Sequence, residues 1–346
     1  MKKDRFNVGK REVGHSEPCF VIAEIGSNHN QDFDLACELI EAAAESGSDA
    51  VKFQTFKASE HYSTKSPGFS YLDNQDPHKL IESLELNRSW QKDLMKKAEE
   101  CGVVFFSSPC DSDAINSLVE IGTPIYKLAS FDLPDLDLIT EMASHKKPLI
   151  LSTGMANWQD IQLAVNAAAS VENYEVALLQ CTSLYPAPVG LSNLRAMQSM
   201  REAFGLPVGY SDHTEGEHIS LAAISMGACI LEKHFTLDKK LPGPDHSFAM
   251  EPKDWKEMVT KIRDIEAGMG DGKKNGPRPE EFEMYEKGRR SIHASVDIKE
   301  GDIITREKLV IKRPGLGISP HLISQIVGRR ARTDIDEDSW IIWDHL

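Results

Sequence analysis

No stretch of the chain reaches the roughly 18 consecutive apolar residues that a membrane-spanning helix requires, and Met1 to Arg11 lacks the apolar core of a signal peptide. The expectation is a cytosolic protein. Cysteine is sparse and unpaired in pattern: Cys19, Cys37, Cys101, Cys110, Cys181 and Cys229 contain no CxxC, which excludes a zinc knuckle or a disulfide framework and implies reduced thiols. Positive charge is also short. A formal net charge of −15 excludes a nucleic-acid surface, because binding phosphates along a backbone needs a basic face. Missing too is the Gly-rich dinucleotide loop. After the first apolar strand the chain reads Ile25-Gly26-Ser27-Asn28-His29-Asn30, so a Rossmann fold loses its main support.

What is present is regular. Short β-rich apolar runs at 20–25, 50–55, 103–107, 125–129, 148–152, 176–182, 207–211 and 229–234 alternate with amphipathic segments. The clearest of these are Asp34 to Ser46, Trp90 to Cys101, Trp158 to Ala169 and Lys253 to Ala267. Eight strand–helix units in this length predict a closed parallel β/α (TIM) barrel over residues 1–269, with an open doubly wound sheet as the alternative. From Gly270 to Pro279 the texture turns polar and Gly-rich, marking a linker over 270–289. Residues 290–346 carry short alternating runs, Ser291 to Val296 and Leu309 to Lys312, and predict a small β-rich module close to the lower size limit for folding alone.

In a parallel barrel the strand-to-helix loops converge at the C-terminal strand ends, so the active site is sought there. The ends supply Glu24 and Asn28, Lys52 and Gln54, Ser107 and Ser108, Lys127 and Ser130, and Ser152 and Thr153. The later strands add Thr182, Ser183 and Tyr185, then Ser211, Asp212 and His213, then Glu232 and His234. Ionisable groups inside a doubly covered strand need a partner or a ligand. A strand-end histidine is often only hydrogen-bonded structure. Two of them, His213 and His234 on neighbouring strands and each near an acid, point to a divalent metal with open coordination positions. Lys52, Lys127, Ser130, Ser152, Ser183 and Ser211 suit a carboxylate and a phosphate, held inside an otherwise acidic molecule. Lys127 alone also suits a Schiff base. Lys233, facing away from Glu232 and His234, reads as a structural partner of a carboxylate. Glu24 and Asp245 are open to hydroxyl binding or proton transfer, the latter within a turn-rich Pro242-Gly243-Pro244-Asp245-His246 loop. His61 to Asn87, carrying Tyr62, Phe69 and Tyr71, reads as a lid or a long surface connection.

Taken in order, several stretches resemble the sialic acid synthase family: Ile22-Ala23-Glu24-Ile25-Gly26-Ser27-Asn28-His29, Val51-Lys52-Phe53-Gln54, Tyr126-Lys127-Leu128-Ala129-Ser130 and Leu151-Ser152-Thr153-Gly154-Met155. So do Cys181-Thr182-Ser183-Leu184-Tyr185-Pro186, Gly209-Tyr210-Ser211-Asp212-His213-Thr214, Leu231-Glu232-Lys233-His234-Phe235-Thr236, Gly243-Pro244-Asp245 and Lys312-Arg313-Pro314-Gly315. The resemblance implies a barrel followed by an antifreeze-like (SAF) domain, in a domain-swapped homodimer. It implies manganese or magnesium on His213 and His234, and phosphoenolpyruvate on Lys52, Lys127, Ser130, Ser152, Ser183 and Ser211. Glu24, Gln54, Tyr185 and Asp245 would then face an N-acylated amino sugar, with Arg313 arriving from the other subunit. Ala129 stands where many relatives carry glycine, and position 183 varies between Ser and Asn.

The implied reaction joins the enol carbon of phosphoenolpyruvate to the open-chain sugar aldehyde and expels phosphate by C–O cleavage, giving a nine-carbon acid. N-acetylmannosamine, a diacetamido sugar leading to legionaminate and its counterpart leading to pseudaminate are the candidate acceptors. Ser319-Pro320 favours the first two. Two other classes compete: a metal-free Schiff-base aldolase on Lys127, and a non-catalytic glycan-binding protein.

Overall fold

The computed structural model describes residues 3–68 and 76–346. The chain opens with a hairpin of β1 (Arg5–Val8) and β2 (Arg11–Gly14), which the sequence reading did not anticipate. Eight strands follow, each within a residue or two of the predicted runs. They are β3 (Phe20–Gly26), β4 (Ala50–Thr55), β5 (Val104–Pro109), β6 (Tyr126–Leu128), β7 (Leu149–Ser152), β8 (Val176–Cys181), β9 (Val208–Asp212) and β10 (Ile230–His234). They form one sheet in the order β5-β4-β3-β10-β9-β8-β7-β6, with every ladder parallel. β5 packs beside β6 at the seam, so the sheet curls into a nearly closed barrel of the TIM type.

Side-chain alternation divides each strand between two environments. Outward residues such as Val21, Ala23, Val51, Phe53, Tyr126 and Leu231 join the helices in the larger core. Inward residues Phe20, Ile22, Ala50, Phe106, Ile150, Leu179 and Ile230 fill the barrel floor, with Phe6, Val8 and Val13 of the hairpin closing the N-terminal end. Gly209 belongs to this interior. A Cβ there would lie 2.3 Å from the Ile230 carbonyl oxygen and 2.7 Å from its Cβ, so only glycine lets β9 and β10 run this close.

The covering helices begin where the loops leave the mouth, and several are capped by side chains. Asp32 accepts from the amides of Asp34 and Leu35 ahead of the helix Phe33–Glu45, and Asn157 and Asp160 form a capping box on Trp158–Ser170. Phe33–Glu45 buries Ala36, Leu39, Ile40 and Ala43, the i, i+3, i+4, i+7 stripe expected of a barrel helix.

The structure divides into two compact units, Met1–Gly270 and Asp271–Leu346. Within the second, the stretch read as linker contains a helix, Phe282–Gly288. Beyond it, β11 (Ser291–Ala294) pairs antiparallel with β12 (Leu309–Lys312), around a core that includes Ile292, Ile298, Ile304, Ile318, Ile335 and Ile341. Among the described residues, no helix is long and apolar enough to cross a membrane.

Candidate active site

The inward rows of the barrel change character towards the mouth. Above Phe20 and Ile22 comes Glu24, above Ala50 come Lys52 and Gln54, above Ile125 comes Lys127, and above Ile230 come Glu232 and His234. Period-two alternation therefore delivers these groups to the same side of the wall. Register fixes their neighbours: Glu24 stands beside both Lys52 and His234 in the ladders. A register irregularity between Glu24 and Gly26 marks a bulge at this point, a common way to aim a side chain into a site.

A cavity of about 1200 Å³, open to solvent, occupies the mouth. Twelve of the fourteen predicted site residues line it: Glu24, Lys52, Gln54, Lys127, Ser130, Ser152, Tyr185, Ser211, His213, Glu232, His234 and Asp245. Ser183 lies beside it. A Cβ on Gly154 would come within 2.3 Å of the Ser183 Oγ and 2.8 Å of the Ser130 Oγ, so the two hydroxyls and the Gly154 backbone form a small cradle. The Gly154 amide donates to the Ser130 Oγ over 2.9 Å, while the buried Ser183 Oγ has no partner among the described residues. Arg313 is exposed in the second unit.

The two lysines do not stand as a bare cationic pocket. Lys52 Nζ lies 2.8 Å from Glu24 Oε2, and Glu232 Oε1 lies 3.8 Å from both Lys52 Nζ and Lys127 Nζ. A charge taken out of water needs a counter-charge, so Glu232, expected among the catalytic groups, holds the lysines together. Ser211 donates to Glu232 Oε1 over 3.3 Å, and Lys127 donates to the Ser152 Oγ over 2.6 Å. Burial works to raise Glu232, yet Lys127 and Lys52 hold it below the usual carboxylate range. Burial lowers Lys127, with Glu232 opposing only in part. Glu24 is raised by burial despite Lys52, and its Oε1 accepts from Gln54 over 2.7 Å.

The opposite balance appears at the imidazoles. His213 and His234 face each other with ring centroids 5.5 Å apart, and Tyr185 packs 4.3 Å from the His213 ring. His213 Nδ1 lies 2.8 Å from the Thr182 carbonyl oxygen, to which it donates, so that in the neutral ring the lone pair lies on Nε2. Burial opposes charge on His213, but the Cys181 sulfur and that carbonyl raise it. His234 is driven well below its ordinary value by burial and by His213, which favours the neutral ring, and its buried Nδ1 has no hydrogen-bond partner among the described residues. His234 Nδ1, without a hydrogen-bond donor among the described residues, and the facing His213 ring offer imidazole nitrogens of the kind a divalent cation takes, and the pair fits one.

Asp245 Oδ2 stands 3.7 Å from His234 Nδ1. Burial and Glu24 push Asp245 up to about 6. Asp212, the acid adjacent to His213, is committed elsewhere. It accepts from the Thr214 amide and hydroxyl, from Ser220 and, over 2.9 Å, from Lys233, which is therefore the structural lysine the alternation implied.

Sequence reading named only part of one wall, as the segment His61 to Asn87 read as a lid or surface connection. His61, Cys110 and Asp132, with Phe56, Leu80, Leu84 and Phe131, also line the cavity. They lie in loops, in short 3-10 turns and in the short helices Ala58–His61 and Pro77–Glu82, where no periodicity directs attention. Tyr62 of the suspected lid lines the cavity too, while Phe69 and Tyr71 lie outside the described residues.

Comparison with known proteins places this geometry. The pattern of the NeuB family matches residues 39–274, and that of the SAF domain matches residues 289–346. An N,N'-diacetyllegionaminic acid synthase of Campylobacter jejuni is 42% identical over 328 residues, 93% of this chain and 98% of its own. A protein of the same name from Legionella pneumophila is 41% identical, over 100% of this chain and 99% of its own. The solved N-acetylneuraminic acid (sialic acid) synthetase of Leptospira borgpetersenii, in complex with citrate, has a TM-score of 0.74 at 33% identity, covering 81% of this chain and 94% of that one. The chain thus belongs to the NeuB family and ends in a SAF domain.

Proposed function

We propose that the barrel condenses phosphoenolpyruvate with a 2,4-diacetamido-2,4,6-trideoxy hexose, releasing inorganic phosphate and forming a nine-carbon 2-keto acid of the legionaminate type. One observation carries the reading: paired lysines, a hydroxyl cradle and two neutral-capable imidazoles share a single cavity with Asp245 and Glu24. Lys52 and Lys127 hold the carboxylate and phosphate, and Ser130, Ser152, Ser183 and Ser211 orient them. His213 and His234 would hold manganese or magnesium, which supplies Lewis acidity at the acceptor carbonyl. As the enol carbon bonds to the aldehyde carbon, Asp245, which lines the cavity beside His234, gives the developing alkoxide its proton. Water then adds to the cationic pyruvyl carbon, with Glu24 taking its proton and Gln54 fixing the carboxylate. The tetrahedral adduct collapses to the ketone by breaking the C–O bond to phosphate.

The acceptor is the finer part of the proposal. The names of the two bacterial relatives, and the apolar wall of Phe56, Leu80, Leu84 and Phe131, support an acceptor with a deoxy carbon and a second N-acyl group over N-acetylmannosamine. Phosphate release measured with each sugar tests it: the diacetamido manno sugar should give the highest kcat/KM. Preference for N-acetylmannosamine or the altro sugar would overturn the assignment. Arg313 completing the sugar site of a second copy belongs to the same reading. Mixing inactive Arg313→Ala with inactive Lys127→Ala should then restore part of the activity.

Lys127 supports a second reading, since burial lowers it as an imine-forming amine requires. A Schiff-base aldolase would be trapped on Lys127 by borohydride and would work in EDTA.

A further inference from the structure

The strand order sets β5 and β6 across the barrel from β9 and β10, which carry Ser211, Glu232 and His234. At the β5 and β6 ends three groups meet that the condensation does not use. His61 ends the short helix Ala58–His61, Cys110 follows β5, and Asp132 ends the turn after β6. His61 Nδ1 lies 4.0 Å from Asp132 Oδ1, and Cys110 Sγ lies 3.8 Å from Asp132 Oδ2. One donor atom from each of the three lies within 4.8 Å of the others. Ligand atoms around a tetrahedral zinc, with bonds of 2.0–2.3 Å, are roughly 3.3–3.8 Å apart, so small rotations of these side chains close the set.

The donor types select the ion. Imidazole, thiolate and carboxylate together favour a borderline cation such as Zn²⁺ or Co²⁺, whereas Mg²⁺ and Mn²⁺ avoid sulfur. We propose that His61, Cys110 and Asp132 form a second divalent-metal site, of the zinc class, separate from the His213–His234 pair. It has three protein ligands, and all three line the cavity, which leaves a fourth position facing it. An ion there ties the Ala58–His61 helix to the ends of β5 and β6.

The test uses the full-length protein stripped of metal and then held in excess Mg²⁺ to fill the harder site. Titrated Co²⁺ should produce about one equivalent of a near-ultraviolet thiolate-to-cobalt band. The band should vanish in Cys110→Ser, need at least about tenfold more Co²⁺ in Asp132→Asn and His61→Gln, and persist in His213→Ala and Cys181→Ser. Far-ultraviolet circular dichroism checks that each variant is folded, and Asp132→Asn, nearly isosteric, carries the test if Cys110→Ser is not. Absence of the band, its survival in Cys110→Ser, or its loss in Cys181→Ser would each overturn the site.

Discussion

The Lys52 ammonium is held 2.8 Å from the Glu24 carboxylate, and both side chains are almost wholly buried. Removing one partner of such a pair strands the other without water or counter-charge. Lys52→Met should therefore lower the unfolding free energy by about 3 kcal/mol, as well as weaken phosphoenolpyruvate binding. The double variant Lys52→Met/Glu24→Gln should regain part of that stability, because no unpaired carboxylate remains. Urea unfolding of the two variants reads the difference. A single variant within about 0.5 kcal/mol of the parent would mean that Glu24 is held by something other than Lys52.

The facing imidazoles make a separate prediction. If His213 and His234 hold the divalent ion, chelation and His234→Ala should each cut phosphate release by about 10³-fold, equivalent to roughly 4 kcal/mol of transition-state stabilisation. Mn²⁺ should restore the chelated parent but not the variant. Full activity of His234→Ala in EDTA would remove the metal from the reaction.

The barrel was legible because its signals are local: each strand is a β-rich run, and each helix has its own apolar stripe. Alternation alone also placed Lys233 on the opposite face from Glu232 and His234, where it meets Asp212. The hairpin was not legible. Its strands have four residues each, and its apolar members Phe6, Val8 and Val13 make sense only against the barrel floor. The same limit hid the meeting of His61, Cys110 and Asp132, which lie far apart in the chain, after β4, β5 and β6, and come together only in the folded barrel. Glu232 was visible as a buried acid, but its place between two lysines is a three-dimensional fact.

His29 gives stability a pH dependence. Its ring is buried, Nδ1 accepts from the Gln31 amide over 3.0 Å, and Nε2 has no hydrogen-bond partner among the described residues. Burial lowers it to about 4. The unfolded chain, with a histidine near 6.5, binds the proton more readily than the folded one, so stability falls as pH drops from about 6.5 towards 4. The full loss from this group is about 3 kcal/mol. His29→Asn keeps an acceptor for the Gln31 amide and removes the titration. Urea midpoints for the variant should change less over that window, and an unchanged slope would assign the effect to other groups.

Gly154 allows the sharpest separation of anion binding from folding. Its backbone has no positive φ, so alanine is compatible with the local conformation and the effect of a methyl group is steric. That methyl would sit 2.3 Å from the Ser183 Oγ and 2.8 Å from the Ser130 Oγ, filling the space in which the hydroxyls are proposed to meet an anion. Both side chains can rotate away, which limits the stability cost but takes their hydroxyls off the ligand. Gly154→Ala should raise the dissociation constant for phosphoenolpyruvate by about tenfold or more, the equivalent of roughly 1.4 kcal/mol or one good hydrogen bond to a charged group. Calorimetric titration with phosphoenolpyruvate measures it directly, and the thermal midpoint should shift by only a few degrees. If binding is unchanged while the sugar KM rises, the cradle faces the acceptor instead, and the assignment of Ser130 and Ser183 to the anion fails.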